Sequence, residues 1–401
     1  MSKIPITRPF FDDTDCAAIV KPLEAGWVVQ GPFVESFEAE FSAFTAARYC
    51  AATTSCTTAL HLAVAALGLK PGDEVIVPAF TWISTANVVE YMGARPVFCD
   101  IDLTTYNIDV DQVEGLITAR TVGMIPVHLF GLCADMTPLM EIAARRHLWV
   151  VEDAACAFGA RYQGRHAGTF GEMGCFSFHP RKSITTGEGG MITTQREDLD
   201  RSVRSLRDHG ASRTDFERHS QQAAFLLADY NHLGYNYRMT DIQGALGCAQ
   251  MRRASWILDE RTRRAQRYDE LLKHTGWLQT PLVLEGYVHG YQAYVCLFRP
   301  EAPALRNVDL LHKRRNRLMQ QLEEHGISTR QGTHAPVLTG YYKDKYGFSD
   351  HQFPNALLAE RLTLALPLYA QLTDIEQDAV VGRLHSAFES NQRNTRKPPK
   401  C

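Results

Sequence analysis

No apolar run in the 401-residue chain approaches the about 18 residues needed to cross a bilayer. The opening MSKIPITRPFFDD has no apolar stretch after its lysine, so an export signal is not expected either. Paired cysteines are missing too. The ten cysteines stand singly, with no CxxC, which argues for a reducing compartment and against a disulfide scaffold or a zinc site. Charge of one sign is also lacking: 42 Lys and Arg face 45 Asp and Glu, for a net −3, so a nucleic-acid surface is not expected. Basic clusters such as Arg252-Arg253 and Lys313 to Arg317 fall in helical patterns and read as solvated helix faces. No internal repeat is found. These absences leave a cytoplasmic globular protein, with neither nucleic acid nor membrane as a partner.

Hydrophobic residues make up 45% and charged residues 22% of the chain, ordinary proportions for a globular protein, and the length suits two lobes. A proline-bearing arm leads into a helix expected over 15–25, entered at Thr14, and a second helix through Val34, Phe37, Phe41 and Phe44 follows the Gly31-Pro32 turn. From Tyr49 strands and helices alternate, with strands expected over 74–77, 96–100, 122–127 and 148–151, the pattern of an α/β fold. An Arg-rich helix is expected over 198–207. A polar stretch to about Gln222 then reads as a mobile loop, and one long helix as running from Thr240 or Asp241 to about Lys273. Beyond about Pro281, shorter strands and helices suggest a smaller α+β lobe with an irregular stretch over 327–346. The closing NQRNTRKPPKC reads as a disordered tail.

The stretch CFSFHPRKSITTGEGGMITT, Cys175 to Thr194, carries the first chemistry. An apolar strand is broken at His179-Pro180, and Gly187, Gly189 and Gly190 make a tight turn, so Lys182 is delivered between two core strands. Burial of an ammonium lowers its pKa and leaves an amine nucleophilic toward carbonyls; the alternative is a lysine on a solvated loop. Thr53-Thr54-Ser55-Cys56-Thr57 opens a helix with free backbone N–H groups, a place for a phosphate or simply a capped end. Trp82 follows a strand, where open α/β sheets hold ligands, and suits either ring stacking or core packing. Glu152-Asp153 ends a strand. A buried Asp there needs a cation, hydrogen-bond donors or the protonated ring nitrogen of a cofactor.

Taken in order, QGPFVESFEAEF, GDEVIVPAFTW, PVHLFG, VVEDAACAFGA, CFSFHPRKSITTGEGG, GYNYRMTDIQGALG and LALPLY resemble the DegT/DnrJ/EryC1/StrS family of sugar aminotransferases, fold type I enzymes of pyridoxal 5'-phosphate. The resemblance spans nearly the whole chain. It implies a large cofactor-binding domain over 1–250, arm included, with a mostly parallel central sheet flanked by helices. A smaller α+β domain would cover 251–390, leaving 391–401 as the tail. Carried over by position, Lys182 would hold the cofactor as a Schiff base, Asp153 would pair with the ring nitrogen, and Trp82 would stack on the ring. Cys56 and Thr57 would offer backbone N–H groups to the phosphate, joined by the Thr57 hydroxyl and Ser177. Asn236 would reach the phosphate of the neighbouring subunit, implying a homodimer with shared active sites. Arg238 is either a second contributor or an ordinary helix-end pair.

Two departures stand out. Many members have Gln where this chain has Cys156, so the contact to the cofactor's phenolic oxygen falls to a weak donor. The usual Gly before the phosphate-binding Thr is Cys56, a change that leaves backbone donation intact. The implied reaction moves an amino group, with glutamate the expected donor, onto a nucleotide-linked keto-deoxysugar. For the sugar, the residues offer only a rim of Trp27, His209, Tyr237, His334, Tyr341 and Tyr342, with Arg330 as a nucleotide-phosphate candidate; packing is the alternative for each. Other readings are a dehydratase relative, which would carry His in place of Lys182, an acceptor that is a cyclitol or free keto sugar, and a non-catalytic regulator, for which the chain has no spare domain.

Overall fold

The computed structural model describes residues 3–212 and 228–395; residues 213–222 of the stretch read as a mobile loop lie outside them. Its centre is a sheet of seven strands. In chain order β1 (Tyr49–Thr53), β2 (Glu74–Pro78), β3 (Arg95–Cys99), β4 (Thr121–Met124) and β5 (Trp149–Asp153) come first. A short hairpin of β6 (Arg161–Tyr162) and β7 (Arg165–His166) precedes β8 (Met173–Ser177) and β9 (Gly190–Thr194). The order across the sheet is β1-β9-β8-β5-β4-β2-β3. Only β9 runs against its neighbours, β8 and β1; the pairs β2–β3, β2–β4, β4–β5 and β5–β8 are parallel. The expected α/β class and mostly parallel sheet are therefore present. Its strands are apolar runs rather than alternating ones, as in Val75-Ile76-Val77, which is fully buried, because helices such as Cys56–Ala66, Ser84–Tyr91 and Met136–Arg146 cover the faces.

The rest of the chain adds a three-stranded sheet, β10 (Leu278–Gln279), β12 (Tyr294–Phe298) and β13 (Thr363–Leu366), while β11 (Tyr287–Val288) joins the β6–β7 hairpin. Helices Val308–Glu324, Pro354–Leu362 and Asp374–Thr395 complete this α+β part. Four expectations need correction. The long helix expected to Lys273 is two, Asp241–Met251 and Ala254–Leu272, parted at Arg252-Arg253, where Arg253 turns to pair with Asp12 at 2.7 Å and with Asp15. The irregular stretch contains a helix, Gly340–Tyr346. The closing helix continues to Thr395, into the segment read as a tail. The N-terminal arm, grouped with the first 250 residues, is tied to the C-terminal part instead: Ile4 pairs with Ile327, and Leu368 N donates to Ile6 O at 3.0 Å.

Candidate active site

The C-terminal ends of the parallel strands gather the chemistry, as expected for an open α/β sheet. The end of β5 carries both carboxylates, and because side chains alternate along a strand they face opposite ways. Glu152 is buried on one side, accepting backbone N–H groups of Gly168, Phe170 and Gly171 at 2.6–2.8 Å and facing His128 Nε2 at 2.8 Å. His128 Nδ1 accepts from Ala134 N at 3.0 Å, so the ring proton lies on Nε2 and is donated to Glu152. Glu152 thus secures the turn that leads into β8. Asp153, 4% exposed, faces the other side. Its Oδ2 accepts from the Thr85 hydroxyl at 2.7 Å and its Oδ1 from Ala155 N at 3.2 Å. Burial pushes its pKa above the usual carboxylate value, and those hydrogen bonds and Lys182 only partly offset it.

Lys182 stands in the loop between β8 and β9, its Nζ donating to the Cys156 sulfur at 3.1 Å. It is half-buried, and the lowered pKa expected from burial is not what the surroundings produce. Burial pulls the amine down, but Cys156, Cys56 and the Asp153 carboxylate outweigh it and hold Lys182 above the ordinary lysine value. Without a ligand it is an ammonium. The loop keeps its shape through Gly187, whose φ of +82° is left-handed. Gly190 permits a close approach: a Cβ there would lie 2.5 Å from the Ser55 carbonyl and 2.7 Å from Cys56 N.

Gly190 thereby lets β9 press against the start of the helix Cys56–Ala66. Ser55 and Thr58 close a capping box there, which satisfies Thr58 N and leaves Cys56 N and Thr57 N without an acceptor among the described residues. The Cys56 side chain is buried, its thiol aimed at Cys175 O at 3.5 Å; burial holds the thiol well above its ordinary pKa. The Thr57 hydroxyl faces Ser84 Oγ at 2.8 Å. Ser177 ends β8, half-buried. Trp82, just beyond β2, is 57% exposed and meets the His334 ring edge-on at a centroid distance of 5.6 Å.

The remaining candidates divide. Asn236 is exposed, on a segment that reaches the helix start through Thr54 N donating to Tyr237 O at 3.1 Å. Arg238 pairs with Asp208 at 2.5 Å, the ordinary ion pair among its two readings. Arg330 is exposed, its backbone paired to Ala365 beside β13. Tyr342 is core rather than rim, donating to Asn87 at 2.7 Å, and half-buried Tyr237 stacks on Tyr235 with its hydroxyl 3.1 Å from His61 Nδ1. Sequence reasoning passed over Ser84 and Thr85. The available signal was TWISTAN, with hydroxyls four apart at a helix start.

The family model for DegT/DnrJ/EryC1/StrS aminotransferases matches residues 10–385. The chain belongs to this family. Spore coat polysaccharide biosynthesis protein SpsC of Bacillus subtilis is 35% identical, with 94% of this chain and 95% of that protein covered. GDP-perosamine synthase of Caulobacter vibrioides is 36% identical, covering 96% and 98%. Among solved structures, Streptococcus pneumoniae Spr1654 in its PLP form superimposes with a TM-score of 0.88 at 27% identity, over 97% of this chain and 99% of that one.

The chain is thus an aminotransferase of pyridoxal 5'-phosphate, and its residues fit that group. The deciding observation is Asp153, a buried carboxylate that receives one hydroxyl and one backbone N–H and no ion pair among the described residues. A protonated ring nitrogen would supply the missing cation. The free N–H groups at the helix start suit a phosphate.

Proposed function

We propose that this aminotransferase converts a nucleotide-linked keto-deoxysugar to the amino sugar, with glutamate as amino donor, at a site shared between two copies of the chain. The observation that carries the site is the placement of Lys182 beside buried Asp153 and near Cys56, which opens a helix with free N–H groups on Cys56 and Thr57. Support for the substrate comes from GDP-perosamine synthase, similar along 386 residues, whose name carries a nucleotide-linked sugar.

When bound, pyridoxal 5'-phosphate supplies a carbonyl that takes up the amino group and a ring that accepts electrons. Lys182 holds the group through Nζ and, once free, carries the proton at the reacting carbon. To do so it must first shed the proton that its surroundings favour. Asp153 keeps the ring nitrogen protonated, and Trp82 covers the ring face. Cys56 N, Thr57 N, the Thr57 hydroxyl and Ser177 bind the phosphate, and Asn236 of each copy serves the other copy's site. In this reading His334, whose ring lies 5.6 Å from that of Trp82, and exposed Arg330 contact the sugar nucleotide. The division near residue 250 forms part of this reading, with the arm assigned to the C-terminal lobe.

The test is incubation of the purified protein with a panel of nucleotide-linked keto sugars and glutamate, read by product mass. Glutamate-dependent replacement of the oxo group by an amino group is expected. Amination of free keto sugars or cyclitols, with every nucleotide-linked sugar untouched, would overturn the substrate assignment.

A further inference from the structure

Asp153 is fixed by more than its own strand. Its Oδ2 accepts from the Thr85 hydroxyl at 2.7 Å, and Thr85 Oγ1 in turn lies 3.0 Å from Thr81 Oγ1. Thr81 and Thr85 are both fully buried. Thr85 Oγ1 also approaches Trp82 O, at 3.2 Å. A hydroxyl has one proton, and these partners compete for it. The short contact to a carboxylate is the stronger, and Trp82 O already receives Thr85 N at 3.2 Å, so the Thr85 proton goes to Asp153. Thr85 Oγ1 is then an acceptor, and Thr81 must donate to it.

We propose that the chain Thr81 Oγ1–H to Thr85 Oγ1–H to Asp153 Oδ2 is a positioning relay that holds the Asp153 carboxylate in its cofactor-facing orientation and couples it to the Trp82 turn. The relay rests on the reading of Asp153 as the partner of the ring nitrogen. With Oδ2 tied by Thr85 and Oδ1 by Ala155 N, the carboxylate plane is set from both sides, and each oxygen keeps a lone pair for a further donor. The branched Thr side chain is stiff at χ1, so the hydroxyl is aimed before any ligand arrives. Thr81 and Trp82 are consecutive, and Thr81 N donates to His334 O at 3.0 Å. The relay therefore joins Asp153, the Trp82 turn and His334 through one run of residues. Hydrogen bonds to the charged form also favour ionised Asp153 against the burial that disfavours it.

The test compares Thr85→Val, which keeps the shape and removes the hydroxyl, with Thr85→Ser, which keeps the hydroxyl. One readout is the affinity of cofactor-free protein for pyridoxal 5'-phosphate. A second is the carboxyl ionisation of Asp153 in the cofactor-free protein, followed by carbon-13 NMR and identified by its disappearance in Asp153→Asn. For Thr85→Val we expect about tenfold weaker cofactor binding and ionisation of Asp153 at higher pH, both restored by Thr85→Ser. Wild-type values in Thr85→Val would overturn the relay, as would failure of Thr85→Ser to restore them. If Thr85→Val does not fold, Thr81→Val removes the upstream donor and is expected to shift both readouts in the same direction by less; no shift there overturns the relay as well. Asp153→Asn run in parallel separates the two claims: unchanged turnover in that variant would defeat the role of Asp153 itself, whereas its loss beside a wild-type-like Thr85→Val would defeat the relay alone.

Discussion

Asp153 is placed where function and stability conflict. Burial raises its pKa above the ordinary aspartate value of 3.8, so the folded protein binds the proton more tightly than the unfolded chain does. The corresponding stability is fully present below pH 3.8 and is lost as pH rises through the folded-state value. Ionisation of the buried carboxylate as pH rises therefore costs the cofactor-free protein stability. Asp153→Asn is expected to raise the melting temperature of the cofactor-free protein at pH 7, with no gain below pH 3.8, while lowering turnover about 100-fold or more. Thermal scans across pH with parallel rate measurements check both halves; a variant that is less stable and fully active would contradict the role. Lys182 and Asp153 were legible in the sequence because a lysine before a Gly-rich turn and an acid at a strand end are both costly unless used. The protonation of Lys182 was not, since burial alone suggests a lowered pKa and the opposing groups, Cys156, Cys56 and Asp153, come from distant segments.

In the proposed reading the helix Cys56–Ala66 is the phosphate-binding element. Ser55 and Thr58 cap it with their own side chains, yet the N–H groups of Cys56 and Thr57 remain free. β9 lies against this end only because Gly190 has no side chain. Gly190→Ala must displace backbone rather than a flexible tip, so about tenfold or greater loss of pyridoxal phosphate affinity is expected, with circular dichroism unchanged; equal affinity would show that the helix start does not hold the phosphate. The hydroxyl-rich helix start and the glycine turn were each visible in the sequence. Their contact was not, because it depends on β9 inserting antiparallel between β8 and β1, a pairing that no local pattern encodes. The break between Asp241–Met251 and Ala254–Leu272 was hidden for a similar reason. Arg252-Arg253 suits a helix locally, and the partners that turn Arg253 aside, Asp12 and Asp15, lie on the first helix and its cap.

For the whole molecule, the α/β class followed from alternating apolar strands and helices, and the α+β character of the C-terminal part from its change of pattern. The docking of the arm through Ile4 and Ile6 did not, since a short extended segment carries no sign of its partner strand. The shared site is the claim that belongs to this scale. Mixing Lys182→Ala and Asn236→Ala chains should give hybrids in which one site has both a native Lys182 and a native Asn236. Activity should therefore reappear in the hybrids, although each parent is impaired. Well-formed hybrids that stay inactive would contradict a site built from two copies.

The most direct measurement of the central claim is to load the protein with pyridoxal 5'-phosphate, reduce it with borohydride, digest it and locate the cofactor mass by peptide sequencing. The adduct should map to Lys182, on the peptide between β8 and β9, and should vanish in Lys182→Ala. An adduct on another lysine, or one that persists in Lys182→Ala, would contradict it.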